Sequence, residues 1–176
     1  MDRATFFRAP SAPIVSCDPF FSIWSGADAP TCADTEIWYG DKQPISIQIE
    51  LDGVRYRLMG AKAEPAKRGD RVADVPALKC VGCEVRALTT SYWFTDGRAF
   101  VEMSFMTPKM TDDLDVFSRP VTYATVRTSG ARKVKVFASI SPALATNDDS
   151  AEMVVKKARI AGLQAYSIGR KEQRPL

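Results

Sequence analysis

Short runs in which apolar and polar residues alternate dominate this chain. Isoleucine or leucine occupies every second position of Ile45–Leu51, and Val54–Leu58 repeats the alternation with Val, Tyr and Leu. Asp52-Gly53 lies between the two runs. This is the strongest short hairpin signal, because both central residues of such a turn need a positive φ. The pattern predicts an antiparallel pair of strands with one face in a core and one in water.

Three more hairpins are predicted by the same pattern. Arg98–Met106 shows it clearly, with Val101, Met103 and Phe105 on one face and Phe100, Glu102 and Ser104 on the other. The predicted pairs are Ser91–Phe94 with Arg98–Met106 around Thr95-Asp96-Gly97, Val121–Thr128 with Lys133–Ile140 around Ser129-Gly130, and Met153–Ile160 with Leu163–Ile168 around Ala161-Gly162. Ala77–Leu88 is a further strand candidate. No segment keeps a period of 3.6 residues over a normal helix length. The chain is therefore predicted to be all-β, an antiparallel β-sandwich built from successive hairpins.

The most distinctive run is Asp18–Ser25, which combines an acid, a proline and three aromatic residues. Proline cannot donate to a β-ladder, so Pro19 suits the start of a strand. Phe20, Ile23 and Trp24 carry more apolar surface than a short exposed loop needs. We interpret the run as the first strand of the core. The alternative is an aromatic platform that faces a ligand or a second domain.

At 176 residues the chain is predicted to form a single domain over 1–176, with residues 1–13 as an extended N-terminal arm. Gly26–Asp41 reads as a long loop in which Ile37-Trp38-Tyr39 forms an apolar island that anchors it. The last residues, 171–176, follow a strand with no further strand to close the sheet. We therefore expect a partial chain, cut before the last strands of its sandwich.

Composition excludes several classes of protein. The formal net charge of +3 is too small to indicate nucleic-acid binding. No apolar run approaches the length of a membrane-spanning helix, and residues 1–8 lack the apolar core of a signal peptide. The basic cluster Arg132–Lys135 is typical of a solvated sheet face. Histidine is absent, so histidine-dependent hydrolysis and histidine-bound metal sites are excluded.

The cysteines allow several states. Cys17, Cys32, Cys80 and Cys83 permit three full disulfide pairings, and sequence cannot choose among them. Cys80 and Cys83 have CxxC spacing, but neither a second such pair nor a following helix is visible. A Cys17–Cys32 disulfide would close the loop after the first strand.

Acidic residues offer little for catalysis. Asp112-Asp113-Leu114-Asp115 is the densest cluster, and we interpret it as a turn cap before Val116, with calcium as the alternative. Asn147–Ser150 is interpreted as an exposed turn. Paired carboxylates could support glycosidase chemistry, but none stands out among Asp18, Asp34, Glu36, Asp41 and the Asp112 cluster. We predict no catalytic, cofactor-binding or metal-binding residue.

Aromatic residues are better candidates for contact than for chemistry. Trp24, Trp38, Tyr39 and Trp93 are the candidates for stacking on a ligand or on a neighbouring domain. Alternation predicts that Tyr92 and Trp93 face opposite sides of their strand, so that one of them leaves the core.

Three segments also carry a resemblance to a known family. Asp18–Ser25, Ile45–Gly60 and Asp112–Tyr123 resemble the N-terminal region of bacterial and fungal glutaminase A-like proteins. Residues 61–90 match that region loosely, and Cys80 and Cys83 depart from it. The resemblance implies a supersandwich-like domain that precedes a helical toroid of the six-hairpin glycosidase kind. It also implies export, hence an extracellular or periplasmic location.

The resemblance implies a function for the longer protein, the hydrolysis of glutamine to glutamate and ammonia. The chemistry is expected in the helical toroid domain, so this chain alone would be non-catalytic and would shape one wall of the cleft. Two alternatives remain open, the N-terminal domain of a glycoside hydrolase and a stand-alone carbohydrate-binding module. The oligomeric state is not predicted.

Overall fold

The computed structural model of the protein describes residues 9–62, 74–141, 143–146 and 152–172. Their contacts divide the chain into two compact units, Met1–Ser139 and Ile140–Leu176. The single domain predicted over residues 1–176 stays a prediction. The secondary structure is almost entirely β, as predicted. The strands and two short helices are β1 (Ala12–Ser16), β2 (Ser22–Ser25), β3 (Glu36–Ile37), β4 (Ile45–Leu51), β5 (Val54–Met59), β6 (Lys79–Val85), β7 (Thr89–Thr95), β8 (Phe100–Met106), α1 (Leu114–Phe117), β9 (Tyr123–Ser129), β10 (Val134–Ile140), α2 (Ala143–Thr146), β11 (Met153–Ile160) and β12 (Leu163–Arg170).

The strands form antiparallel sheets consistent with a β-sandwich. The largest has the order β6-β7-β8-β9, and the others have the orders β10-β4-β5, β1-β2-β3 and β11-β12. β1 packs against β7 and β8, where the Thr90 hydroxyl donates to the Pro13 carbonyl at 2.6 Å. The buried apolar side chains come mainly from one face each of β1, β4, β7 and β8, and include Ile14, Ile47, Ile49, Tyr92, Phe94, Val101 and Met103.

Three of the four predicted hairpins are confirmed. β4 and β5 meet at Asp52 and Gly53, whose φ values are 49° and 92°. β7 and β8 pair around residues 95–97, and β11 pairs with β12 around Ala161. In the β7–β8 turn, the Asp96 carboxylate accepts the backbone N–H groups of Ala99 and Arg98, which lowers the pKa of that carboxyl. Each of these turns joins two strands that are adjacent in sequence. Alternation and the turn residues were therefore enough to predict the pairing.

The third predicted hairpin, Val121–Thr128 with Lys133–Ile140, is wrong. β9 pairs with β8 instead, and β10 pairs with β4 in a different sheet. The chain therefore crosses between sheets at Ser129-Gly130. The crossing is fixed by Asp52, whose carboxylate accepts the backbone N–H groups of Arg132 (3.0 Å) and Lys133 (2.8 Å). Sequence alternation fixes the faces of a strand but not its partner.

The opening run is only partly strand. Asp18–Phe21 is a turn that joins β1 to β2, in which the Asp18 carboxylate accepts the N–H groups of Phe20 and Phe21, both at 2.7 Å. Phe20 is 84% exposed, so its predicted place in a core strand is wrong. The predicted arm also ends earlier than expected, because Ala12 and Pro13 already belong to β1. Residues 1–8 lie outside the described residues.

The other predicted segments differ less from the structure. The strand expected over Ala77–Leu88 is shorter, Lys79–Val85. Within the Gly26–Asp41 loop, Ile37 is buried and belongs to β3, whereas Trp38 and Tyr39 are exposed. The Asp112 cluster does cap a helix, since the Asp113 carboxylate accepts the Val116 N–H at 3.0 Å at the start of α1. The predicted turn Asn147–Ser150 lies outside the described residues.

In the first unit, the side chains of β9 and β10 are less buried than those of β4 and β8. Lys135 forms an ion pair at 2.8 Å with Glu50, a side chain on the outer face of β4, which lowers the pKa of Glu50. By alternation, Val134 and Val136 lie on the opposite, core-facing side of β10. They are nevertheless 38% and 47% exposed, whereas Ile49 of the neighbouring strand is fully buried. No described residue of the first unit covers this apolar surface, which we call the open side.

The second unit contains α2 and the β11–β12 hairpin. Its pairing is regular from Met153 opposite Arg170 to Ile160 opposite Leu163. Most of its apolar side chains are exposed, Leu163 and Ile160 most of all. A two-stranded hairpin is at best marginally stable alone in water.

Thr35 anchors the β2–β4 connection. Its hydroxyl donates to the Gln43 carbonyl at 2.6 Å and accepts the Ile45 N–H at 2.9 Å, and the residue is buried. We expect Thr35→Val to lower the free energy of unfolding by about 2 kcal/mol, because both backbone groups lose their partner away from water. Urea denaturation measures this. Thr95→Val is the matched control, since the Thr95 hydroxyl makes the same two kinds of bond in a half-buried turn. An equal loss from both variants would contradict the role of burial.

Candidate ligand-binding surface around Trp93

The outer face of the four-stranded sheet forms a shallow groove of about 380 Å³. Strand register arranges its side chains in rows across the sheet. One row runs from Glu84 through Ser91 and Ser104 to Thr125. The next row contains Gly82, Trp93, Glu102 and Arg127. Because alternate residues share a face, these groups point away from the core that Tyr92 and Met103 occupy.

Two ion pairs flank the hydroxyl row. Arg86 binds Glu84 with two nitrogens, at 3.0 and 3.1 Å. Arg127 contacts Glu102 across β8 and β9 at 3.4 Å. The negative charges of the two carboxylates are therefore balanced by the positive charges of the two guanidinium groups, and the groove has no net charge.

Trp93 lies over Gly82 of the neighbouring strand. A Cβ added at Gly82 would be 3.1 Å from Cε3 of the indole, which is closer than ordinary packing. Because Gly82 has no Cβ, the indole of Trp93 can pack directly against the backbone of β6. The prediction that Tyr92 and Trp93 face opposite sides is confirmed, because Tyr92 is fully buried and Trp93 is half-buried on the outer face.

Trp93 also lines a second depression of about 720 Å³. Its lining is mostly apolar and includes Trp93, Phe100, Val81 and three cysteines, Cys32, Cys80 and Cys83. The β2–β3 loop forms one wall. Two hydrogen bonds position that loop, from the Gly60 N–H to the Pro30 carbonyl at 2.9 Å and from the Arg57 guanidinium to the Thr31 carbonyl at 3.3 Å.

Cys80 and Cys83 both belong to β6. Cys80 and Cys83 lie opposite Phe94 and Tyr92, with a bulge between Cys80 and Gly82. The Cys80 thiol donates to the Gly82 carbonyl at 3.5 Å. Neither Cys17 nor Cys32 is in a disulfide, and the Cys17 thiol lies 3.7 Å from the Thr122 hydroxyl. Among the described residues, no group of three or more Cys, Asp or Glu is arranged to hold a metal ion.

The four aromatic candidates do not form one platform. Trp38 and Tyr39 contact each other edge to face, with ring centroids 5.4 Å apart, and both are exposed after β3. Trp24 is half-buried on β2, where its indole N–H donates to the Ser22 hydroxyl at 2.5 Å. Trp93 lies in a groove lined by polar side chains. Whether any of the four contacts a ligand stays a prediction.

Several groove residues were not singled out in the sequence, namely Glu84, Arg86, Tyr123 and Arg127. Alternation did place Glu102 and Ser104 on the outer face. Their neighbours come from β6 and β9, whose register depends on the bulge and on the pairing of β9 with β8. Alternation alone carries no signal for that register.

The fold and this surface define an all-β sandwich-like domain with an exposed polar sheet face. In the described part of the chain, no helix is long and apolar enough to cross a membrane. A family model described as a domain of unknown function, DUF5127, matches residues 88–176, which is half of the chain. The chain therefore belongs to the DUF5127 family. A second model, a domain of unknown function named DUF4964, matches residues 3–67.

The matched segments divide the fold unevenly. The DUF4964 match contains β1–β5, and the DUF5127 match contains β7–β12. β6, with Cys80 and Cys83, lies between them. Searches among curated proteins and solved structures gave no match.

Proposed function

We propose that this chain is the non-catalytic N-terminal sandwich domain of a glutaminase A-like hydrolase. In the longer protein it packs against a C-terminal helical toroid domain, which hydrolyses glutamine to glutamate and ammonia. The sandwich shapes one wall of the catalytic cleft. An exported protein of this kind would act outside the cell or in the periplasm.

The open side carries this proposal. Val134 and Val136 face the core side of their sheet but remain substantially exposed. On β9, Val126 lies opposite the fully buried Met103 yet is only half-buried, and Ala124 opposite Phe105 is exposed. Apolar side chains that stay exposed on the core-facing sides of two sheets favour an interaction site on these strands. A covering domain would bury it.

Two further observations support the proposal. The resemblance of Asp18–Ser25, Ile45–Gly60 and Asp112–Tyr123 to glutaminase A-like proteins supplies the class of reaction. Domains of the two matched kinds are known as N-terminal domains of glycosidase-like proteins. The same architecture also favours the alternative of a glycoside hydrolase, because fold does not fix substrate.

The activity is tested by ammonia release from glutamine, measured for residues 1–176 and for the full-length gene product. We expect release by the full-length product and none by the chain alone. Release by the chain alone would overturn the non-catalytic assignment. If neither is active, the glutaminase proposal fails, and the same two preparations should then be assayed on aryl glycosides.

The open side is tested separately by sedimentation velocity of residues 1–176. We expect concentration-dependent self-association, which Val136→Lys should reduce because a charge on this surface opposes its burial. Phe20→Lys is the matched control, since Phe20 is exposed on the β1–β2 turn. A wild-type chain that stays monomeric at all concentrations would contradict the proposed covering role.

A further inference from the structure

The groove beside Trp93 has the composition of a polar binding site. Hydroxyl groups of Ser91, Ser104 and Thr125 form a row across three adjacent strands. Each hydroxyl both donates and accepts hydrogen bonds. Adjacent strands are about 4.8 Å apart, so the row spans roughly 10 Å. The row matches a ligand with many closely spaced hydroxyl groups of its own.

The charges of the groove select against ionic ligands. Glu84 is paired with Arg86, and Glu102 with Arg127. A phosphate backbone would meet two carboxylates, and a polycation would meet two guanidinium groups. The same four groups present N–H donors and carboxylate acceptors that suit neighbouring hydroxyls of an uncharged ligand.

Aromatic rings stand at opposite corners of the groove. Trp93 lies on β7 and Tyr123 on β9, so they are separated by two inter-strand spacings and four residues of register. Their Cα atoms are thus roughly 16 Å apart. The negative face of an aromatic ring favours contact with C–H groups, such as those on the flat face of a pyranose.

We propose that this groove binds a short neutral oligosaccharide, with one ring stacked on Trp93 and the next residues hydrogen-bonded along the Ser91–Thr125 row. This binding role does not rest on the proposed glutaminase activity. It uses the outer face of the β6–β9 sheet, whereas the proposed domain contact uses the core-facing side of β9 and β10.

The test is isothermal titration calorimetry of residues 1–176 with cellohexaose, xylohexaose, maltohexaose and chitohexaose, and with oligogalacturonate as an acidic probe. We expect at least one neutral hexasaccharide to bind and oligogalacturonate to bind more weakly. Trp93→Ala should weaken binding about tenfold or more, since the stacking surface is removed. Ser104→Leu fills the middle of the groove without adding charge and should weaken binding to a similar extent. It is the second variant and serves as the test if Trp93→Ala is unstable.

Trp38→Ala is the matched control, because Trp38 is exposed beside Tyr39 after β3 and is not part of the four-stranded sheet. It should bind as the wild type does. The proposal is overturned if no neutral hexasaccharide binds, if oligogalacturonate binds more tightly, or if Trp38→Ala loses affinity while Trp93→Ala and Ser104→Leu keep it. A circular-dichroism melt of each variant separates loss of the site from loss of the fold.

Discussion

Replacing Gly130 with alanine is expected to lower the free energy of unfolding by about 3 kcal/mol or more. Gly130 has a φ of 83°, and an added Cβ would lie 2.4 Å from the Arg98 carbonyl oxygen and 3.1 Å from the Ala99 Cα. Both of these atoms are backbone, so a side-chain rotation cannot relieve the contact. The strain acts at the point where the chain leaves β9 for β10. Urea denaturation followed by circular dichroism measures the change.

Gly97→Ala separates the two causes of that strain. Gly97 has a φ of 91° but nothing within 4 Å of an added Cβ. Its substitution therefore reports the cost of the positive φ alone, about 1–2 kcal/mol. If Gly97→Ala and Gly130→Ala are equally destabilising, the close approach at Arg98 contributes nothing and the argument is wrong.

Phe94→Ala is expected to be the most destabilising side-chain truncation, at about 3–5 kcal/mol. Phe94 is fully buried on the core face of β7, between Cys80 and Val101 of the neighbouring strands, with Tyr92 6.5 Å away between ring centroids. Truncation would leave a cavity that two paired strands hold open. Thermal or urea unfolding of the purified variant checks the value.

The same substitution at Phe20 is the control. Phe20 lies in the β1–β2 turn and is 84% exposed. We expect Phe20→Ala to change the free energy of unfolding by less than about 0.5 kcal/mol. A large loss at Phe20 would mean that the turn packs against something that the described residues do not include, and would return this aromatic to the core role predicted from sequence.

The contrast between these two phenylalanines shows what sequence patterns can predict. Phe94 lies two residues from Tyr92 on β7, and residues two apart share a face because a strand has a period of two. Phe20 follows Asp18-Pro19, and there the carboxylate captures two backbone N–H groups and makes a turn. Apolar content argued for a strand, but local hydrogen bonding by Asp18 decided the conformation.

The candidate surface was predictable only in part. Alternation placed Glu102 on the face opposite Val101 and Met103, and it predicted that one of Tyr92 and Trp93 leaves the core without choosing between them. The residues that complete the groove, such as Glu84 and Arg127, come from β6 and β9, and their positions follow from pairings between strands. The bulge in β6 adds a residue on one strand alone, which shifts everything after it. The periodicity of a single sequence does not show where such a shift occurs.

The pairing of β10 with β4 also has a consequence for synthesis of the protein on the ribosome. The β4–β5 hairpin can close as soon as it emerges, because its two strands are adjacent in sequence. The free edge of β4 stays unpaired until β10 has been made, since the Asp52 carboxylate accepts the Arg132 N–H, which comes 80 residues later in the chain. During that interval the edge of β4 is an unprotected template for pairing with other chains. Nascent chains from which residues 132–140 have not yet emerged should therefore depend more on chaperones than chains from which they have emerged.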